Sequence, residues 1–140
     1  KAVGVNVDLQ AMDFAAMAQR RRNRNPPAEG GWHLGSTYWN GLGASDPIGN
    51  QPMLASCDKA WPGWPCDAEH QALIDAFPRA RTLEERKALA ARIQESAFRL
   101  VPYVPIGQWF APVAHSPRLE GLTGAPQVMV FWNVEKKPKS

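Results

Sequence analysis

The sequence predicts an α/β chain, because stretches that alternate like strands are interleaved with stretches that carry helical spacing. A capping box opens one unmistakable helix, and proline or glycine punctuates the junctions. A length of 140 residues suffices for one domain with a real core and is short for two large ones. With 44% hydrophobic and 21% charged residues the composition is that of a folded chain, which excludes disorder for most of the length.

The elements follow in order. Val3, Val5, Val7 and Leu9 alternate with Gly4, Asn6 and Asp8, a period of two that reads as a half-buried strand. Asp13 then caps a helix to about Arg22 with Phe14, Met17 and Ala18 on one face, ended by Asn25, Pro26 and Pro27. Residues 32–39 read as a second strand and residues 40–45 as a glycine-rich loop. Asp46 and Pro47 fit a helix start, with Asp46 as cap and a stop near Ser56.

Asp67 caps the next helix, which carries Leu73, Ile74 and Phe77 and ends at Pro78. Thr82 and Glu85 form the capping box, after which Leu89, Ile93, Ala97 and Leu100 recur at helical spacing until Pro102. Residues 103–110 and 112–115 read as two strands broken at Ala111 and Pro112, and residues 128–134 as a last strand. The expected architecture is a mixed sheet with flanking helices.

Thirteen prolines and six tryptophans point to rigid loops and an aromatic surface. The net charge of +3 is modest and comes largely from Arg20, Arg21, Arg22 and Arg24 and from Lys136, Lys137 and Lys139. A solvated helix end and a charged tail explain both groups; the alternative is a nucleic-acid-binding module using the arginines and exposed tryptophans. No apolar stretch approaches the ~20 residues that span a bilayer. The chain opens at Lys1 with neither a starting methionine nor a signal peptide, which reads as a piece of a longer protein.

Cys57 and Cys66 bracket a loop rich in proline, glycine and tryptophan. In an exported protein they form a disulfide, stabilising by roughly 2–3 kcal/mol. The rival is a metal site of Cys57, Cys66, Asp67 and His70, which no standard zinc spacing supports. Unlinked thiols fit a cytosolic protein. His33, His70 and His115 lie in different elements, and no nucleophile elbow, phosphate loop, dinucleotide fingerprint or metalloprotease motif occurs. No catalytic residue, cofactor or metal is expected, and the chain reads as a binding protein rather than an enzyme. Tyr38, Trp39 and Asn40 stand out: they end a predicted strand where α/β folds present ligand-contacting groups, with flat apolar area beside an amide that both donates and accepts. A core position for Trp39 explains the segment equally well.

In order along the chain, several of these pieces resemble the solute-binding family 5 proteins, the dipeptide-, oligopeptide- and nickel-binding group. Gly4-Val5-Asn6-Val7 resembles the family's "GI-x-V" strand, and Tyr38-Trp39-Asn40 with Asp46-Pro47 its "W…DP" segment. Asp67 with Leu73-Ile74 is similar to its "D-x-L-I" stretch. The most specific piece runs from Glu85-Arg86-Lys87 through Ile93-Gln94 to Pro102-Tyr103-Val104-Pro105-Ile106, similar to "R-x-x-x-y-x-x-i-Q…P-x-i-P-l". Phe131-Trp132-Asn133-Val134 resembles the terminal strand.

The resemblance implies that residues 1–140 are the C-terminal ligand-binding lobe and return segment of a larger periplasmic protein with a type II, cluster C binding-protein fold. Two such lobes close over a peptide or peptide-like solute and deliver it to an ABC permease of the inner membrane; nucleic acid is not among the partners. The ligand-binding residues it points to are Tyr38, Trp39, Asn40, Arg21 and Trp32, with Arg20 to Arg22 near where peptide binders place basic contacts. One departure matters. Peptide binders carry an aspartate shortly after the tryptophan to pair with the ligand's amino group, whereas residues 40–45 here carry no carboxylate. A lobe without its partner should also expose apolar surface and tend to associate.

Overall fold

The computed structural model describes residues 3–110, 112–124 and 130–138. The chain divides into two compact units, Lys1–Thr37 and Tyr38–Ser140.

The first unit holds one helix, α1 (Phe14–Arg20). Asp13 caps it as expected, its carboxylate accepting from the Ala16 amide at 2.9 Å. A 3₁₀ turn, Pro27–Glu29, follows, and Gly30 leaves it at φ 87°, a left-handed backbone that suits glycine. Gly31 is required for a different reason: a Cβ there would lie 1.7 Å from the Asn25 carbonyl oxygen.

The second unit contains the core. α3 (Ala68–Ala76) and α4 (Leu83–Leu100) bury Leu73, Ile74, Phe77 and Ile93 between them, with Met53, Leu54, Leu89 and Ala90 packed on this cluster. Asp67 caps α3 through the His70 amide at 2.8 Å. The expected Thr82–Glu85 capping box is formed in both directions: Thr82 Oγ1 accepts from the Glu85 amide at 3.1 Å, and Glu85 Oε2 from the Thr82 amide at 3.3 Å. Thr82→Ala is expected to destabilise the fold by about 1 kcal/mol in a denaturant titration, since it orphans the Glu85 amide at an exposed helix end. α4 stops where Val101 turns left-handed at φ 51°, because the residue before Pro102 is steered away from the helical region.

Ser96, missed by the apolar periodicity, is buried on the same face as Ile93. It faces the wholly buried His70 of α3, with Nδ1 and Oγ 3.0 Å apart, while His70 Nε2 lies 3.0 Å from the Met53 carbonyl. A carbonyl only accepts, so Nε2 carries the proton and Nδ1 accepts from the Ser96 hydroxyl. One imidazole thus ties α3, α4 and the segment before the cysteines together.

The strand expectations need correction. The described residues contain both helix and strand, but the mixed sheet with flanking helices is not formed among them. Strand pairing there is limited to the antiparallel pair β1 (Leu119–Glu120) and β2 (Glu135–Lys136), with single bridges Thr123 to Val130 and Ser56 to Cys66. Residues 3–9, 32–39, 103–110 and 112–115 are not strands, and Val3, Leu9, Ile106 and Phe110 are more than four-fifths exposed. Alternation shows which side chains a sheet would bury but supplies no partner strand, and without one it buries nothing. Ala111, Val128 and Met129 lie outside the described residues; within 130–134 Val130 forms the single bridge to Thr123, and the two-residue ladder sits further on, at Glu135 and Lys136.

The segment from Asn40 to Ser56 also differs. The predicted glycine-rich loop contains a one-turn helix, α2 (Gly41–Ala44), and the helix expected from Asp46 is a run of turns with a 3₁₀ element at Gln51–Met53. Asp46 accepts from the Ile48 amide at 2.8 Å, so it closes a local turn without launching a helix.

Candidate ligand-binding site

The five residues singled out from the sequence fall in both units. In the first, Trp32 Nε1 donates to the Arg21 carbonyl at 3.1 Å, which brings these two candidates together, both half-buried. Neighbouring Arg20 donates through Nε to the Gly30 carbonyl at 3.2 Å, through Nη2 to the Gly31 carbonyl at 3.1 Å, and through Nη1 to Gln10. Arg20 therefore holds its own loop in shape, which accounts for part of the arginine cluster without a phosphate-bearing partner.

In the second unit, Tyr38, Trp39 and Asn40 adjoin a loop, and each makes contacts within the chain. Asn40 Oδ1 accepts from the Gly43 amide and so caps α2. Tyr38 is exposed and meets Trp109 edge-to-face, with ring centroids 6.0 Å apart. Trp39 is half-buried and packs edge-to-face against Trp61, with centroids 4.9 Å apart. Its Nε1–H is buried without a hydrogen-bond acceptor, and a Cβ on Gly43 would lie 2.9 Å from that nitrogen. Trp39 thus contacts both the Gly43 backbone and Trp61.

The loop behind this cluster is anchored at Asn50, which is buried and donates to Tyr103 Oη at 2.9 Å. Trp61, Trp109, Asn50 and Tyr103 were not singled out from the sequence; the surplus of tryptophan hinted at an aromatic cluster, but their pairings link positions far apart in the chain. A separate shallow groove of about 390 Å³ beside α3, lined in part by Ile48, Leu54, Gln71 and Arg79, includes none of the five candidates.

Cys57 and Cys66 are joined in a disulfide. The rival metal site is thereby overturned: the two sulfurs are bonded to each other, Asp67 caps α3, and both His70 ring nitrogens are hydrogen-bonded. The described residues also hold no group of three or more His, Cys, Asp or Glu side chains placed to bind a metal, and no helix there is long and apolar enough to cross a membrane.

The second unit thus combines a small two-helix core with a disulfide-closed aromatic turn. Comparison with known proteins shows what the whole chain is similar to. The chain is 34% identical over 136 residues, 97% of its length, to a Sinorhizobium fredii protein described as "Probable peptide ABC transporter periplasmic-binding protein". The chain is thus similar over nearly its whole length to part of a periplasmic-binding protein of an ABC transporter, which agrees with the family 5 resemblance of its motifs. It spans about a quarter of the length of that relative. No family model matches the chain. The relative is a transport protein, not an enzyme, and it lends no support to a nucleic-acid-binding role.

Proposed function

We propose that the chain is the C-terminal ligand-binding lobe of a periplasmic solute receptor, which captures a peptide-like small molecule between two lobes and delivers it to an ABC permease. The observation that carries this reading is the 34% identity, which extends over nearly the whole chain and so includes both the helical core and the aromatic loop. Capture works mechanically in this reading: a ligand touching both lobes favours their closed arrangement, and closure is what the permease detects. Tyr38, Trp39 and Asn40 would contact the ligand, as would Arg21 and Trp32, in keeping with the family 5 resemblance.

The ligand is one that does not rely on a free amino terminus. Residues 40–45 carry no carboxylate, and Asp46 is occupied by its own turn. A buried ammonium without a counter-charge is costly, so a modified peptide or another solute lacking that group fits better.

Titration calorimetry on the exported full-length protein tests this. Dialanine is expected to bind more weakly than about 1 μM, while N-acetyl-dialanine or another amino-blocked solute binds more tightly than dialanine. Micromolar or tighter capture of ordinary free dipeptides would overturn the ligand class. Native mass spectrometry of the same preparation addresses the wider reading: a co-purified small molecule supports it, and bound nucleic acid refutes it.

A further inference from the structure

The loop between the cysteines is shaped tightly enough to ask what it presents. Cys57 donates its amide to the Pro65 carbonyl at 3.0 Å, Trp64 donates to the Trp61 carbonyl at 2.8 Å, and Asp67 donates to the Ala55 carbonyl at 3.1 Å. Cys57 at φ 58° and Trp64 at φ 46° hold left-handed backbone that side-chain-bearing residues seldom adopt. The surroundings must impose such conformations. The disulfide closes this turn, and Trp61 projects from it onto the Trp39 ring.

Trp39 also meets Gly43, where a Cβ would lie 2.9 Å from Nε1. The ring therefore touches a glycine backbone that leaves no room for a side chain and a tryptophan carried on the disulfide-closed turn. Cys66 is exposed, so a small dithiol can reach the sulfur.

We propose that the Cys57–Cys66 turn is a redox-sensitive positioning device for Trp39, acting through Trp61. Its consequence for solute capture rests on the reading of Trp39 as a ligand contact. In the reduced form a dithiol supplies two electrons and two protons. The Sγ–Sγ bond breaks to give two thiols, and the dithiol closes to its own disulfide. The turn then loses its closure, Trp61 withdraws from Trp39, and the ring is no longer held in one orientation. Trp61 is a positioning residue here and makes no contact with the solute.

The test uses the full-length protein labelled with fluorotryptophan, with the Trp39 fluorine resonance assigned by its loss in Trp39→Phe. Dithiothreitol is expected to move this resonance in the wild type, and Trp61→Ala to move it without any reductant. In Trp61→Ala, dithiothreitol should then produce no further movement, because the route from the disulfide to Trp39 is gone. Trp61→Ala leaves both cysteines in place, so it stays informative even where reduction unfolds the turn. Affinity for N-acetyl-dialanine should fall between about twofold and tenfold on reduction or in Trp61→Ala, the range an aromatic pair supports, and return in Trp61→Phe. A Trp39 resonance unmoved by reduction of the wild type overturns the proposal, as does one that dithiothreitol shifts as far in Trp61→Ala as in the wild type. A displaced resonance with unchanged affinity overturns the positioning role. A wild type that binds neither N-acetyl-dialanine nor dialanine counts against the ligand reading instead, and the resonance alone then decides whether disulfide and Trp39 are coupled.

Discussion

Replacing His70 by alanine is expected to destabilise the fold by about 3–4 kcal/mol, the largest effect of any single polar substitution in this chain. The imidazole is completely buried, so its removal leaves a void between α3 and α4. It also strands two groups in the interior: the Met53 carbonyl loses its donor, and the Ser96 hydroxyl loses its acceptor. A buried polar group without a partner costs more than the hydrogen bond itself was worth, because its desolvation is no longer compensated. Ser96→Ala should cost less, about 1–2 kcal/mol, since His70 keeps its bond to Met53. The double variant should be milder than the sum, because both changes break the same contact. Urea denaturation of the four proteins measures all three quantities. A loss below 1 kcal/mol for His70→Ala would show that the imidazole is not a structural link.

Ile93→Ala is the second large effect, expected at about 3–4 kcal/mol. Ile93 is 1% exposed and lies on α4 at the centre of the cluster formed with Leu73, Ile74 and Phe77. The cost combines lost burial with a cavity that two helices cannot easily close, since the histidine contact one turn further along α4 fixes their separation. Ile93→Val keeps most of the volume and should cost about 1 kcal/mol. The contrast identifies packing as the cause, and the same denaturation experiment reads it. Phe98 lies on the same helix but is largely exposed, so Phe98→Ala should change stability by less than about 0.5 kcal/mol.

These expectations rest on elements that were legible at very different levels. α1, α3 and α4 were readable because helix formation is local: Asp13, Asp67 and Thr82 satisfy amides three residues ahead, and Leu89, Ile93, Ala97 and Leu100 lie on one stripe. The disulfide was readable because the two cysteines bracket a short loop and have no other partner of their kind. The likeness to solute-binding proteins was readable from motif order. None of these needs to know where distant segments lie.

Strands and side-chain partnerships needed exactly that knowledge. Val3, Val5 and Val7 alternate as a strand does, yet they stand exposed, because a strand exists only by pairing with residues that its own sequence does not name. Asn40 offers an amide suited to a ligand, but the backbone brings the Gly43 amide to it first. His70 looked like one of three scattered histidines until folding set Ser96 and Met53 on either side of its ring. The sequence by itself determined α1, α3 and α4, their caps, the disulfide and the likeness to solute-binding proteins, all carried by neighbours in the chain or by motif order. Only the tertiary structure decided that His70 joins the two core helices and that Trp61 backs Trp39, because those pairings depend on close approach between residues that are 17 to 26 positions apart for His70 and lie in separate loops for the tryptophans.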